Sequence, residues 1–305
     1  MSNTAVFLIV AIGALVTAFG AVWLAERNIR VRAPRRIAAD EQAARDATGA
    51  EVEQVEVQAA DGTPLRAWLL HDPETWTGRA ALVLHGFVDT RAAMLPHTAL
   101  LLRQGFAVLA PDSRGHGESG GHEVTFGLRE ADDVRAWGDW LCERLGVETF
   151  VGLGQSMGAC VLLHALPAEG RLEGVIAESP FTTFSSAAYD KLADRYRLPR
   201  RVAHVAFRPM GELAFWYVCW RYGVNLHLAR PVDAIQRPGR PPVLLIHGAE
   251  DRAIRVSHSR ALQAASGCDY WEVPGAGHTE PLRVAAREYE RRVAAFISPT
   301  TENRP

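Results

Sequence analysis

The chain has 305 residues, 48% of them hydrophobic, with 33 basic against 35 acidic side chains and a net charge of -2. That is enough for one large domain with a substantial core, and a charge so near zero gives no basis for binding nucleic acid. The four cysteines, Cys142, Cys160, Cys219 and Cys268, contain no C-x-x-C pair and fit neither a disulfide framework nor a zinc site. Lys191 is the only lysine, which reads as a bias toward arginine rather than as chemistry.

No charge interrupts residues 5–25. At 1.5 Å rise per residue a helix there is about 30 Å long, the thickness of a bilayer core. The run is apolar all round, whereas a core helix has one apolar face. No Lys or Arg precedes it, but Arg27, Arg30, Arg32, Arg35 and Arg36 follow. The expectation is a retained single-pass transmembrane anchor rather than a cleaved signal peptide. Its C-terminal side, and with it the catalytic domain, is expected in the cytoplasm. Trp23 is placed for the membrane interface. Residues 26–50 read as a juxtamembrane helix or linker.

A folded domain is expected over 51–298. Val52, Val55 and Val57 alternate with polar residues, Asp61-Gly62 marks a turn, and 65–70 returns as a second strand, which together predict a β-hairpin. Short apolar runs follow at 80–84, 106–110, 150–153, 175–177 and 243–246, with a last strand at 270–273. Helical patterns lie at 92–103, 128–145, 157–166 and 282–297. Apolar runs alternating with helices predict a mostly parallel sheet covered on both faces. Sites in such sheets lie beyond the carboxyl ends of the strands.

The polar motifs fall at those ends. Gly154-Gln155-Ser156-Met157-Gly158 matches G-x-S-x-G between a strand and a helix, the sharp turn that presents a serine nucleophile. The spacing of Gly152, Gly154 and Gly158 is one residue too long for a dinucleotide fingerprint, and neither a phosphate loop nor H-E-x-x-H is present. A serine needs a base, and the base needs orienting. His278 follows the last strand inside Pro274-Gly275-Ala276-Gly277-His278-Thr279. Asp251 follows the strand before it inside His247-Gly248-Ala249-Glu250-Asp251, with Glu250 as the alternative acid. The chain order Ser156, Asp251, His278 suits a catalytic triad on this kind of sheet. The expected oxyanion donors are the backbone N–H groups of Met157 and Phe87. His85, His116 and His247 read as structural loop residues.

With these stretches, and with Leu84-His85-Gly86-Phe87, Asp112-Ser113-Arg114-Gly115-His116-Gly117-Glu118-Ser119 and Glu178-Ser179-Pro180-Phe181, the chain resembles the α/β-hydrolase superfamily over about residues 52–297. It looks closest to the serine aminopeptidase-like and prolyl-oligopeptidase-like esterases and lipases, many of which carry an N-terminal anchor. The resemblance implies a Ser-His-Asp hydrolase without a cofactor. It also makes the aromatic-rich segment 182–236 a cap-like insertion after the sixth strand, although no specific cap motif is found there.

The expected activity is hydrolysis of a small-molecule carboxylic ester with an apolar acyl or alcohol part, through an acyl-enzyme. The same residues would serve a peptidase or amidase, or acyl transfer to an acceptor other than water. A reading of another class is a membrane-anchored binding protein that keeps the fold without catalysis.

Overall fold

In the computed structural model, residues 3–30 and 38–298 are described, with the backbone alone at 3–12, 14, 28 and 38–40. The elements run α1 (Asn3–Ile29), α2 (Ala38–Thr48), β1 (Glu51–Gln58), β2 (Pro64–His71), β3 (Arg79–Leu84), α3 (Leu95–Arg103), β4 (Phe106–Pro111), α4 (Glu130–Leu145), β5 (Phe150–Gln155) and α5 (Met157–Ala165). They continue as β6 (Leu172–Glu178), α6 (Phe184–Tyr196), α7 (Arg200–Ala206), α8 (Arg208–Tyr222), α9 (Pro231–Ile235), β7 (Val243–Gly248), α10 (Ser257–Ser266), β8 (Asp269–Val273), α11 (Pro281–Val284) and α12 (Ala286–Ile297).

The eight strands form one sheet in the order β1-β2-β4-β3-β5-β6-β7-β8. β1 and β2 are the antiparallel hairpin at one edge, and β3 through β8 are parallel. Continuous apolar strands explain the two-sided burial: Leu82 and Leu109 enter one core, while Val83 and Val108, their chain neighbours, enter the other. The first core holds Trp137 of α4 and Leu162 of α5; the second holds Leu101 of α3 and Val293 of α12.

Three elements differ from the sequence expectation. The helix expected over 92–103 starts as a 3-10 turn, Arg91–Met94, and becomes α-helical only at Leu95, with Pro96 in the first turn. Pro lacks the N–H that a helix interior needs, so it marks the start of the regular helix. The terminal helix is broken at Ala285. Residues 26–50, read from sequence as a juxtamembrane helix or linker, contain the end of α1 and all of α2, and differ in that Ala44 is buried in the second core.

The anchor expectation is met only as a helix. Among the described residues no helix is long and apolar enough to cross a membrane. Within 5–25, residues 5–12 and Ala14 have side chains outside the described residues, as do Arg32, Arg35 and Arg36. The C-terminal part of α1 is engaged with protein: Ala21, Ala25 and Ile29, four apart, are buried in the first core, and α1 lies along α8. An all-round apolar sequence hides such a face, because the pattern carries no polar contrast.

One buried network ties a helix to the sheet end that matters below. Glu178, at the end of β6, accepts from Gln155 Nε2 at 2.8 Å and from the Tyr289 hydroxyl of α12 at 2.9 Å, and lies 3.2 Å from His97 Nε2. Burial, together with the adjacent carboxylate, pushes the Tyr289 phenol far up. Tyr289→Phe removes one donor to a buried carboxylate and is expected to cost about 1–3 kcal/mol, read as a lower urea midpoint at unchanged slope.

Candidate active site

Parallel strands end on the same edge of the sheet, so the loops after β3, β5, β7 and β8 converge there. Ser156 stands between β5 and α5 with φ 52° and ψ -109°, a backbone that costs a non-glycine residue about 1–3 kcal/mol. The turn closes because Gly154 and Gly158 touch backbone. A Cβ on Gly154 would meet the Gly158 carbonyl carbon at 2.5 Å, and one on Gly158 would meet the Leu84 oxygen at 2.4 Å. The Ser156 N–H donates to the Glu178 carbonyl at 2.7 Å, which fixes the turn on β6.

The loops after β7 and β8 are bonded to each other. Ala249 N–H donates to Val273 O and Glu250 N–H to Ala276 O, both at 2.9 Å. This brings Asp251 to His278. Asp251 Oδ2 lies 2.7 Å from His278 Nδ1, and His278 Nε2 lies 3.0 Å from Ser156 Oγ. The three side chains expected from chain order thus form one hydrogen-bonded line. Glu250 is exposed on the neighbouring position and takes no part in it.

Asp251 is buried. Burial pushes its carboxyl up, but His247 and His278, the charge available on His278 and the Ile254 N–H outweigh it and hold the group well below the usual carboxylate range. Ala253 and Ile254 N–H groups donate to Oδ1 at 2.8 and 2.9 Å. His247 Nε2 lies 3.2 Å from Oδ2 and 2.8 Å from Ile254 O. A histidine read as a loop residue is therefore in contact with the acid, a contact that chain spacing does not disclose.

The other two histidines hold the loop after β3. His85 Nδ1 donates to Gly86 O at 2.7 Å, and its Nε2 accepts from Ser113 N–H at 3.0 Å. His116 Nδ1 donates to Arg114 O at 3.0 Å, and its Nε2 accepts from Val88 N–H at 3.3 Å. The loop so held lies on the serine: a Cβ on Gly86 would be 3.5 Å from the Cβ of Ser156. Phe87 N–H has no protein partner among the described residues. Met157 is the first residue of α5, where helix geometry leaves the N–H without an intrahelical acceptor.

Ser156 opens on a cavity of about 320 Å³. Phe87, Phe126, Phe184, Phe215 and Val218 contribute apolar walls. The aromatic segment divides among three environments. Phe184 and Phe215 face the cavity, Tyr217 and Tyr222 bond to α1, and Trp216 and Trp220 are exposed and stacked at 6.3 Å between ring centroids. Lys191 and Arg195, one turn apart on α6, also line the cavity, at its exposed side. Leu24, Ala25 and Ile29 of α1 line the cavity too; no sequence signal separated them from the rest of the apolar run.

The model of the alpha/beta hydrolase family matches residues 81–295. The chain belongs to the alpha/beta hydrolase family. Among curated relatives, the uncharacterized protein YqkD of Bacillus subtilis is 28% identical over 269 residues, 84% of either chain. The uncharacterized protein YfhR of Salmonella typhimurium is 29% identical over 187 residues, 53% of this chain and 63% of that one. Among solved structures, the Pyrococcus furiosus esterase Pf2001 superposes with a TM-score of 0.67 at 22% identity, over 88% of this chain and 96% of that chain. The Rhodococcus esterase RhEst1 does so at 0.56 and 19% identity, over 81% and 98%. At such identities the likeness is one of fold.

In this alpha/beta hydrolase the histidines behind the serine carry a pH signature. Burial, with His85 close by, pulls His116 down to about 4, and burial pulls His164 down to about 4. Both folded values lie below that of an unfolded histidine. Their stabilising contribution is complete above about pH 6.5 and is lost as pH falls toward 4. Urea unfolding between pH 7 and 4.5 should show stability falling with acidification. His116→Gln should reduce that slope by about 1.4 kcal/mol per pH unit, the linkage of one proton; an unchanged slope would contradict a neutral His116.

Proposed function

We propose that this protein hydrolyses carboxylic esters with an apolar acyl or alcohol part, with Ser156, His278 and Asp251 as catalytic residues. The observation that carries the reading is the line of hydrogen bonds from Asp251 through His278 to Ser156, at 2.7 and 3.0 Å, beside an apolar cavity. That the Pyrococcus and Rhodococcus proteins of the same fold are esterases supports the ester reading.

In this mechanism Ser156 Oγ bonds to the carbonyl carbon while its proton passes to His278 Nε2. Ionised Asp251 holds the Nδ1–H and stabilises the imidazolium. The carbonyl oxygen, now negative, takes hydrogen bonds from the Phe87 and Met157 N–H groups. Collapse breaks the ester C–O bond, and Nε2 returns the proton to the departing alcohol. Water, activated by the same nitrogen, repeats the sequence and frees the acid and Ser156. Each step uses side chains already in hydrogen-bond reach, which lowers the cost of reorganisation.

Ser156→Ala should lower turnover of p-nitrophenyl butyrate by at least about a thousandfold while the thermal midpoint stays close to wild type. Turnover retained in the well-folded variant rejects the assignment. A matched butyramide cleaved as fast as the ester would assign a peptidase or amidase. Failure of a fluorophosphonate to label Ser156 in the folded chain would favour a binding protein.

We also propose that α1 holds the protein at a membrane, with the hydrolase domain on the cytoplasmic side. Leu15, Val16, Phe19 and Trp23 of α1 are exposed, as are Trp216 and Trp220 of α8, and Arg27 and Arg30 follow the apolar run. Interfacial tryptophans and trailing basic residues fit that placement. The full chain should float with phospholipid vesicles in a density gradient, and a chain with Leu15, Val16 and Phe19 all changed to Asp should not. Equal sedimentation of both would reject it.

A further inference from the structure

The C-terminal part of α1 is fastened to the catalytic domain at two places. Tyr217 and Tyr222 of α8 donate to Glu26 Oε1 at 2.7 and 2.6 Å, and Arg30 reaches Glu26 Oε2 at 3.2 Å. Burial raises the Glu26 carboxyl, but the two tyrosines and Arg30 outweigh it and hold the group low. Just beyond, Val124 N–H donates to Ile29 O at 2.9 Å, and Arg30 pairs with Glu123 in an isolated antiparallel β-bridge of the backbone. Beside these fastenings, Leu24, Ala25 and Ile29 of α1 line the cavity on which Ser156 opens. Phe184 of α6 and Phe215 and Val218 of α8, which also line it, are equally apolar.

An anchor needs none of this. A helix that only held the protein in place could hang from a solvated linker, with no apolar face against the site. A pocket wall, by contrast, must be held at a fixed distance from the nucleophile, and the half-buried Glu26 carboxylate, accepting from two tyrosine hydroxyls of α8, fixes α1 against that helix. We infer that α1 is the specificity-determining wall of this hydrolase. The substrate class is then esters with an apolar acyl chain, which lies against α1 inside the cavity that α1 lines together with α6 and α8. Leu24, Ala25 and Ile29 set the chain length accepted. The inference rests on the esterase reading given above and deepens it.

The test is a series of p-nitrophenyl esters from acetate to decanoate on the full chain, comparing wild type with Leu24→Trp and Leu24→Ala. The acetate ester carries the smallest acyl group of the series and is the reference for the chemistry. Leu24→Trp should lower kcat/KM for decanoate at least about tenfold relative to acetate, because filling an apolar pocket discriminates on that scale. Leu24→Ala should shift the optimum to longer chains. Thermal midpoints and far-ultraviolet circular dichroism near wild type show that both variants fold, and the readout is the decanoate-to-acetate ratio within each variant. A decanoate-to-acetate ratio that stays the same in both variants overturns the inference. Absence of acetate turnover in the wild type would instead overturn the esterase reading beneath it, so the two failures are distinct.

Discussion

The site depends on a steric condition at one turn. β5 must stop and α5 must start within a single residue, and that residue must be Ser156 with a positive φ. The condition is met because Gly154 and Gly158 allow backbone to approach where any Cβ would collide. The strain is held from behind. Gln155 is tied into the Glu178 network, and Ser156 itself hydrogen-bonds to Glu178 through the backbone. Burial of that carboxylate is tolerable because its oxygens have donors. The turn is thus over-determined on both sides, which is how a strained backbone persists.

The loop partners follow from the sheet. Six parallel strands place four chain ends on one edge, and short backbone bonds between neighbouring loops do the rest. Asp251 and His278 meet through bonds between the β7 and β8 loops, not through any property of the two side chains alone. The buried histidines at 85 and 116 play the corresponding part for the loop that carries Phe87. Their low pKa values are a consequence of that burial. A neutral ring offers one donor and one acceptor, which is what bridging two backbone segments requires.

The cap and α1 add a second layer whose logic is apolar. Phe184 and Phe215 form cavity wall, Tyr217 and Tyr222 clamp α1, and Trp216 and Trp220 face outward, although all six lie in one aromatic-rich stretch. The tyrosines have a hydroxyl to donate to Glu26 and the phenylalanines have none; position on the helix separates the outward tryptophans from the cavity wall. On α8, residues 218 and 222 share a side with 215, while 216 and 220 point away, following the 3.6-residue period.

Much of this was legible from residues alone. The alternation of apolar runs and helical stretches specified a mostly parallel α/β sheet, because strands covered on both faces cannot carry polar residues. Each motif after its own strand named Ser156, Asp251 and His278, since a serine needs a base and an orienting acid in that fold's chain order. Tertiary structure decided what local pattern cannot encode. It put Asp251 rather than Glu250 in hydrogen-bond contact with His278, put His247 against the same carboxylate, and brought Lys191 to the cavity. It also turned one face of a featureless apolar helix toward the cavity on which Ser156 opens. Those contacts join residues far apart in the chain, and in an all-apolar run no periodicity of polarity exists to announce which face will be buried.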